Sequence, residues 1–245
     1  MTGVPAAFLD GLAQLQIQLE EGELDRLGTY LDLLLEANAV MNLTGIRDRD
    51  VAWNRHVLDS LSLVPVIEAA EARCVLDLGS GGGLPGLPLA VTMPAVRFLL
   101  LEATGKKARF LEETARGIGC DNVEVLDERA EVVGEPGCIH RDHYDIVVAR
   151  AVGPMPVLLE LAIPLVRVGG LLLAIKGERA GEELKEAARA MDVLGCSVVD
   201  RRRTTTGTIV IVEKTRETPA DYPRRPGEPR RQPIGRPPRT RGKRR

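Results

Sequence analysis

The chain has 245 residues, enough for one large domain or a domain with an appendage. Apolar residues make up 44% and aromatics 3%, so Leu, Val, Ala and Ile must build the core, and no apolar run approaches the roughly 18 residues that span a bilayer. The net charge of −2 conceals an asymmetry, because residues 214–245 carry 12 Lys+Arg and 3 Asp+Glu, a net of +9, while the preceding residues carry 21 and 32, a net of −11.

An acidic body with a basic end is not a protein wrapped in positive charge; it suits one that holds a polyanion at one end. Cys74, Cys120, Cys138 and Cys196 are scattered with no C-x-x-C pair, so neither a metal centre nor a disulfide frame is expected. With no basic segment followed by an apolar one at the N-terminus, a signal peptide is not expected, and the reading is a cytoplasmic protein.

Helices come first. Phe8, Leu12, Leu15 and Leu19 recur at helical spacing, as do Leu24, Leu27, Leu31 and Leu34; Asn38 to Gly45 breaks the pattern, and Val57, Leu58, Leu61 and Val64 predict another helix before Pro65. From Arg73 strands and helices alternate. Strands are expected at 73–78, 97–101, 122–126, 144–150, 169–175, 196–201 and 208–213, and helices near 86–93, 104–118, 155–166 and 180–194, the last stopped by Gly195. This alternation implies an α/β fold with a mostly parallel seven-stranded sheet. The last two strands have no helix between them and predict an antiparallel hairpin. The organisation read from this pattern is a helical segment (1–70), a core (71–213) and a basic, proline- and arginine-rich tail (214–245) that is mostly extended or disordered.

The most telling stretch is Val75-Leu76-Asp77-Leu78-Gly79-Ser80-Gly81-Gly82-Gly83-Leu84-Pro85-Gly86. An apolar strand runs into a glycine loop and then a helix start, a turn that lets a flat polar cofactor approach the main chain. The second strand ends at Glu102, about where an acid meets ribose hydroxyls; the third is followed by Ala130-Glu131, and the fourth ends at Arg150. Gly81 to Gly86 also satisfies G-x-G-x-x-G, so an NAD(P)-dependent oxidoreductase is a rival. Against it stands Asp77, an acid beside the loop, which opposes a pyrophosphate and suits a phosphate-free, cationic cofactor such as S-adenosylmethionine.

Further segments carry a resemblance: Met41-Asn42-Leu43-Thr44-Gly45-Ile46-Arg47, His56-Val57-Leu58-Asp59-Ser60-Leu61, Glu102-Ala103-Thr104-Gly105-Lys106-Lys107, Arg129-Ala130-Glu131, Ala149-Arg150-Ala151-Val152, Ala174-Ile175-Lys176-Gly177 and Tyr222-Pro223-Arg224-Arg225-Pro226-Gly227. With the glycine loop, these resemble the bacterial small-subunit rRNA guanine-N7 methyltransferases, the glucose-inhibited division protein B family, over roughly residues 24 to 234. The resemblance implies a Rossmann-like class I S-adenosylmethionine-dependent methyltransferase acting on N7 of a guanine in the 530 loop of 16S rRNA. Its partner is then that rRNA or the small ribosomal subunit, with no membrane and no metal. It further implies cofactor contacts from Gly79, Leu84, Glu102, Ala103, Thr104, Ala130, Glu131 and Arg150.

Guanine N7 has a lone pair and no proton, so no catalytic acid or base is assigned. Candidates for meeting RNA are Asn42, Arg47 and His56, which match family motifs, with Lys106, Lys107 and Lys176 as phosphate partners. Arg201 to Arg203 and the tail arginines read as further RNA-facing charge. A third possibility, a non-catalytic RNA-binding assembly factor, is disfavoured by Glu102, Glu131 and Arg150 all standing at strand ends.

Overall fold

The computed structural model describes residues 3–204 and 206–235. Seven strands form one sheet: β1 (Cys74–Leu78), β2 (Arg97–Leu101), β3 (Val123–Leu126), β4 (Tyr144–Arg150), β5 (Val166–Lys176), β6 (Cys196–Arg203) and β7 (Thr208–Lys214). Their order is β3-β2-β1-β4-β5-β7-β6, parallel throughout except for β7, which runs antiparallel to both β5 and β6. The expected terminal hairpin is present. The order reverses beside β1, between β2 and β4, and at such a switch point the strands' carboxyl ends open a crevice.

Side-chain alternation along the strands divides the core in two. Val75, Phe98, Leu100, Ile146, Val148, Leu173 and Ile175 face one helical layer. That layer holds α1 (Ala6–Gln14), α2 (Glu23–Met41), α3 (Arg49–Ala52), a π-helical stretch (Trp53–Leu58), α4 (Asp59–Leu61), α5 (Val64–Ala69), α6 (Gly86–Thr92) and α7 (Gly105–Gly117). Leu76, Leu78, Leu99, Leu101, Val147, Ala149, Leu172 and Ala174 face the other, formed by α8 (Ala130–Val133), α9 (Met155–Ala162), α10 (Ala180–Glu186) and α11 (Ala188–Leu194). The N-terminal helices share one apolar cluster with the sheet through Phe8, Leu27, Tyr30, Leu31, Leu34 and Trp53.

Element boundaries shift for local reasons. Helix α1 ends at Gln14, leaving Leu19 beyond it, whereas α2 runs past Asn38 and stops where Asn42 adopts φ 52°. The helix expected over 180–194 is interrupted at Ala187 and ends, as expected, at Gly195 with φ 76°.

The tail departs most from expectation. Residues 215–235 are not a loose extension; they strap across the face bearing α9 and α11. Arg141 donates to the carbonyls of Gly134, Thr218 and Tyr222 at 2.6–2.8 Å. Arg224 grips the buried Glu160 through Nε and Nη2 at 2.8 and 2.7 Å. The strap then forms α12 (Glu228–Arg231), with Pro229 and Ile234 buried. Lys214 is fully buried, paired with Asp142 and donating to the Ile163 carbonyl at 2.9 Å. Lys214 and Arg224, part of the tail's basic charge, are therefore neutralised within the fold; Arg236 and the residues after it lie outside the described residues.

Candidate active site

The glycine turn is held through its amides, partly by itself and partly by the ends of β1 and β2. The amides of Gly79 and Ser80 donate to the Leu101 carbonyl, those of Gly83 and Leu84 to the Ser80 carbonyl, Gly81 to Glu102 Oε2 at 3.0 Å and Gly86 to Asp77 Oδ2 at 2.9 Å. Gly79 sits at φ 70°, and a Cβ there would come within 3.2 Å of Val152 Cγ2. Gly86 packs so closely on β1 and β2 that a Cβ would meet Leu100 Cδ2 at 2.3 Å. A pyrophosphate carrier needs free amides at such a helix start. Here they are engaged, two of them by carboxylates. The preference against a dinucleotide stands, but for a different reason: Asp77 is wholly buried beneath the loop and holds α6 in place, and it does not face a cationic ligand.

Burial pushes the Asp77 carboxyl up to about 7, against the stabilising bond from the Gly86 amide, and its Oδ1 finds no partner among the described residues. Unfolded, the group ionises at its ordinary value of 3.8. Its contribution to stability is thus full below that value and is drawn down as pH rises toward about 7. Asp77→Asn, neutral at every pH, is expected to lose less stability than the native chain between these limits. The difference is at most about 4 kcal/mol at about 1.4 kcal/mol per pKa unit, read from urea midpoints at pH 4.5 and 7.5.

A first cleft, about 240 Å³, opens beside the turn. Leu78, Leu101, Ala130, Val152 and Leu161 give it apolar walls, and Gly79, Ala103 and Glu131 line it as well. Glu102, between the lining residues Leu101 and Ala103, accepts from the Thr104 amide at 2.9 Å through Oε1 and from the Gly81 amide through Oε2. Each oxygen retains a lone pair, so the carboxylate anchors the turn and can still accept from hydroxyls. Leu84 is buried within the turn. Sequence reasoning missed that the strap closes this cleft: Gly227 and Arg230 line it, and the Gly227 amide donates to Glu131 Oε1 at 2.8 Å. The only hint was the Tyr222-to-Gly227 motif, whose contact across 96 residues no local pattern encodes.

A second cleft, about 500 Å³, is lined by Ile46, Arg55, Asp59, Arg150, Ala151, Gly153, Lys176, Glu183 and Thr206, among others. The segment Arg150 to Gly153 forms the wall between the two clefts. Within it Ala151 holds φ 57°, an uncommon conformation for a residue with a Cβ.

His56, carried on the π-helical stretch, is buried and neutral. Its Nδ1 accepts from Arg150 Nη2 at 2.9 Å, leaving Nε2–H to donate to Thr44 Oγ at 2.7 Å. Burial, reinforced by the Arg150 charge, depresses its pKa to about 4. His56 thus joins the Thr44 loop to the end of β4 and stands one layer behind the cleft.

Other sequence candidates separate. Lys176 is not a free phosphate partner, since its Nζ is held by Glu183 Oε2 at 2.7 Å and the Gly153 carbonyl at 2.6 Å. Asn42 serves as the stop of α2. Arg47, Lys106 and Lys107 keep no ion pair among the described residues, and Lys106 lies beside α2 with Arg109. Of the β6 arginines, Arg202 pairs with Asp200 at 2.9 Å.

Sheet order, glycine turn and paired clefts define an S-adenosylmethionine-dependent methyltransferase of the Rossmann-like class. Among solved structures, the fold is similar to an O-methyltransferase from Bacillus cereus in complex with SAH (TM-score 0.54, 18% identity, 76% of this chain and 90% of that one). It is likewise similar to TomG from Streptomyces achromogenes in complex with SAM (TM-score 0.55, 17% identity, 84% and 94%).

The family described as rRNA small subunit methyltransferase G matches residues 23–208, and the chain belongs to it. It is 45% identical over 222 residues to the ribosomal RNA small subunit methyltransferase G of Sorangium cellulosum, covering 90% of this chain and 92% of the relative. The corresponding protein of Alkaliphilus metalliredigens is 37% identical over 231 residues, covering 92% and 96%. No helix among the described residues is long and apolar enough to cross a membrane.

Proposed function

We propose that this rRNA methyltransferase places its methyl group on N7 of a guanine in the 530 loop of 16S rRNA, in the cytoplasm, on the rRNA or an assembling small subunit. The observation that carries the reading is the pair of clefts sharing the Arg150–Gly153 wall, one shaped for a flat nucleoside and one large enough for a base. Bound in the first, S-adenosylmethionine supplies a sulfonium-activated methyl group. Gly79, Ala103 and Ala130 offer walls without bulky side chains, Glu102 and Glu131 offer carboxylate acceptors, the Thr104 amide orients Glu102, Leu84 packs within the turn, and Arg150 stands at the junction with the second cleft. These residues fit an adenosine whose amino and hydroxyl groups donate.

Guanine N7 attacks with its in-plane lone pair, and the breaking C–S bond leaves its pair on sulfur. No proton moves, so the chain needs no general base; its work is alignment and exclusion of water. The target base must be splayed from the folded RNA, with Arg47, Lys106 and Lys107 free to meet phosphates. Residues 1–70, 71–213 and 214–245 then serve as a helical flank to the acceptor cleft, the catalytic core and a tail whose first part closes the cofactor cleft.

Mass mapping of rRNA from cells lacking the protein tests this. One 7-methylguanosine should disappear from the 530 loop and return when the native chain is restored; an unchanged modification map there would end the reading.

A further inference from the structure

We propose that Asp59 and Arg150 together read the Watson–Crick edge of the target base, Asp59 Oδ2 accepting as a shared acceptor from N1–H and the 2-amino group of guanine while Arg150 Nη1 donates to O6. The inference rests on the function proposed above and assigns the residues that select guanine. Asp59 is 3% exposed yet lines the larger cleft. Its Oδ1 is occupied by the hydroxyl of Thr206, with Thr204 Oγ at 3.4 Å. Among the described residues, its Oδ2 has no closer cation than Arg150 Nη1 at 3.8 Å.

That Nη1 is itself buried without a hydrogen-bond partner among the described residues, although Nη2 of the same guanidinium is held by His56. The cleft wall thus sets an acceptor, Asp59 Oδ2, beside a buried donor, Arg150 Nη1; the two face each other beyond hydrogen-bond distance, each side chain fixed by its other half. Buried groups of this kind are costly to leave unmade, so an unmatched pair lining a cleft points to a ligand that completes it.

Guanine offers the complement, an acceptor at O6 beside donors at N1 and N2. Adenine offers the reverse, bringing its amino donor against Arg150 and its N1 lone pair against the carboxylate. With O6 and N1 so held, N7 is the next position along the free edge, which leaves it open for the methyl group. Positive charge gathers on the purine as the N7–C bond forms and the C–S bond breaks, and N1–H becomes more acidic. The bond to Asp59 therefore strengthens in the transition state, so the pair contributes to rate as well as to selection.

The test compares reconstituted small subunits whose rRNA carries guanosine or inosine at the target position, with the native enzyme and with Asp59→Asn. Inosine keeps O6 and N1–H but lacks the 2-amino group. The native enzyme is expected to lose roughly ten-fold in kcat/KM on inosine, the worth of one charge-assisted hydrogen bond. Asp59→Asn should be slow on both and show a guanosine-to-inosine ratio near one, through kcat more than KM. Equal rates of native enzyme on the two substrates overturn the assignment without recourse to any variant. A slow Asp59→Asn that keeps the native ratio also overturns it, by showing a structural role. Failure of the native enzyme to methylate the guanosine subunit would remove the parent reading and this one together.

Discussion

Replacing Arg224 by alanine is expected to lower folding stability by about 3–5 kcal/mol, the loss found when one partner of a buried ion pair is removed. Glu160 is fully buried on α9 and receives three bonds from Arg224, two from the guanidinium at 2.7 and 2.8 Å and one from the backbone amide at 3.0 Å. Without the guanidinium, the carboxylate keeps one amide and no counter-charge in a dry environment. Arg224→Lys is expected to recover only part of the loss, because an ammonium cannot supply the two-pronged contact. The double replacement Glu160→Met, Arg224→Met should be less damaging than Arg224→Ala, since an apolar pair leaves no stranded charge. Urea denaturation of the four proteins decides the matter, and a loss under about 1 kcal/mol for Arg224→Ala would mean that the strap is held mainly by Arg141 and its carbonyl partners.

The second large effect concerns the cleft proposed for the cofactor. Glu102→Ala is expected to weaken binding of S-adenosylhomocysteine by roughly ten- to a hundred-fold, in line with the worth of hydrogen bonds to a charged group. The carboxylate accepts from the amides of both Gly81 and Thr104, and its removal orphans both as well as deleting the acceptor proposed for ligand hydroxyls. Glu102→Gln should fare little better, because its NH2 would face one of the two N–H donors. Isothermal titration reads the change directly; an affinity within two-fold of the native protein would show that the turn holds its shape without this anchor.

The sheet and its helices could be read from the chain because their signals are local. The run Val75 to Leu78 followed by glycines, the bare stretch between 196–201 and 208–213, and the stop at Gly195 each depend on neighbouring residues, and the structure places them where periodicity and turn chemistry do. Asp77 was legible as a residue of consequence but not in its role. Sequence shows an acid beside a loop; only the fold shows that its carboxylate points beneath that loop to Gly86.

The same limit applied to Lys176 and the tail. A lysine at a strand end and arginines among prolines look like free charge. The groups that neutralise Lys176, Arg224 and Lys214, namely Glu183, Glu160 and Asp142, lie on other elements and are brought together only by tertiary packing. His56 was visible as a motif residue, whereas its bond to Arg150 spans 94 positions. The partners missed lie on other elements, and most of them are remote in sequence.

The strap has a consequence in time. Residues 218 to 235 leave the ribosome after every strand of the sheet, yet Gly227 and Arg230 form part of the wall around the smaller cleft. A nascent chain therefore carries a finished sheet and an unfinished vessel, and the cleft proposed for the methyl donor gains its last wall only once residues 227 to 230 have emerged.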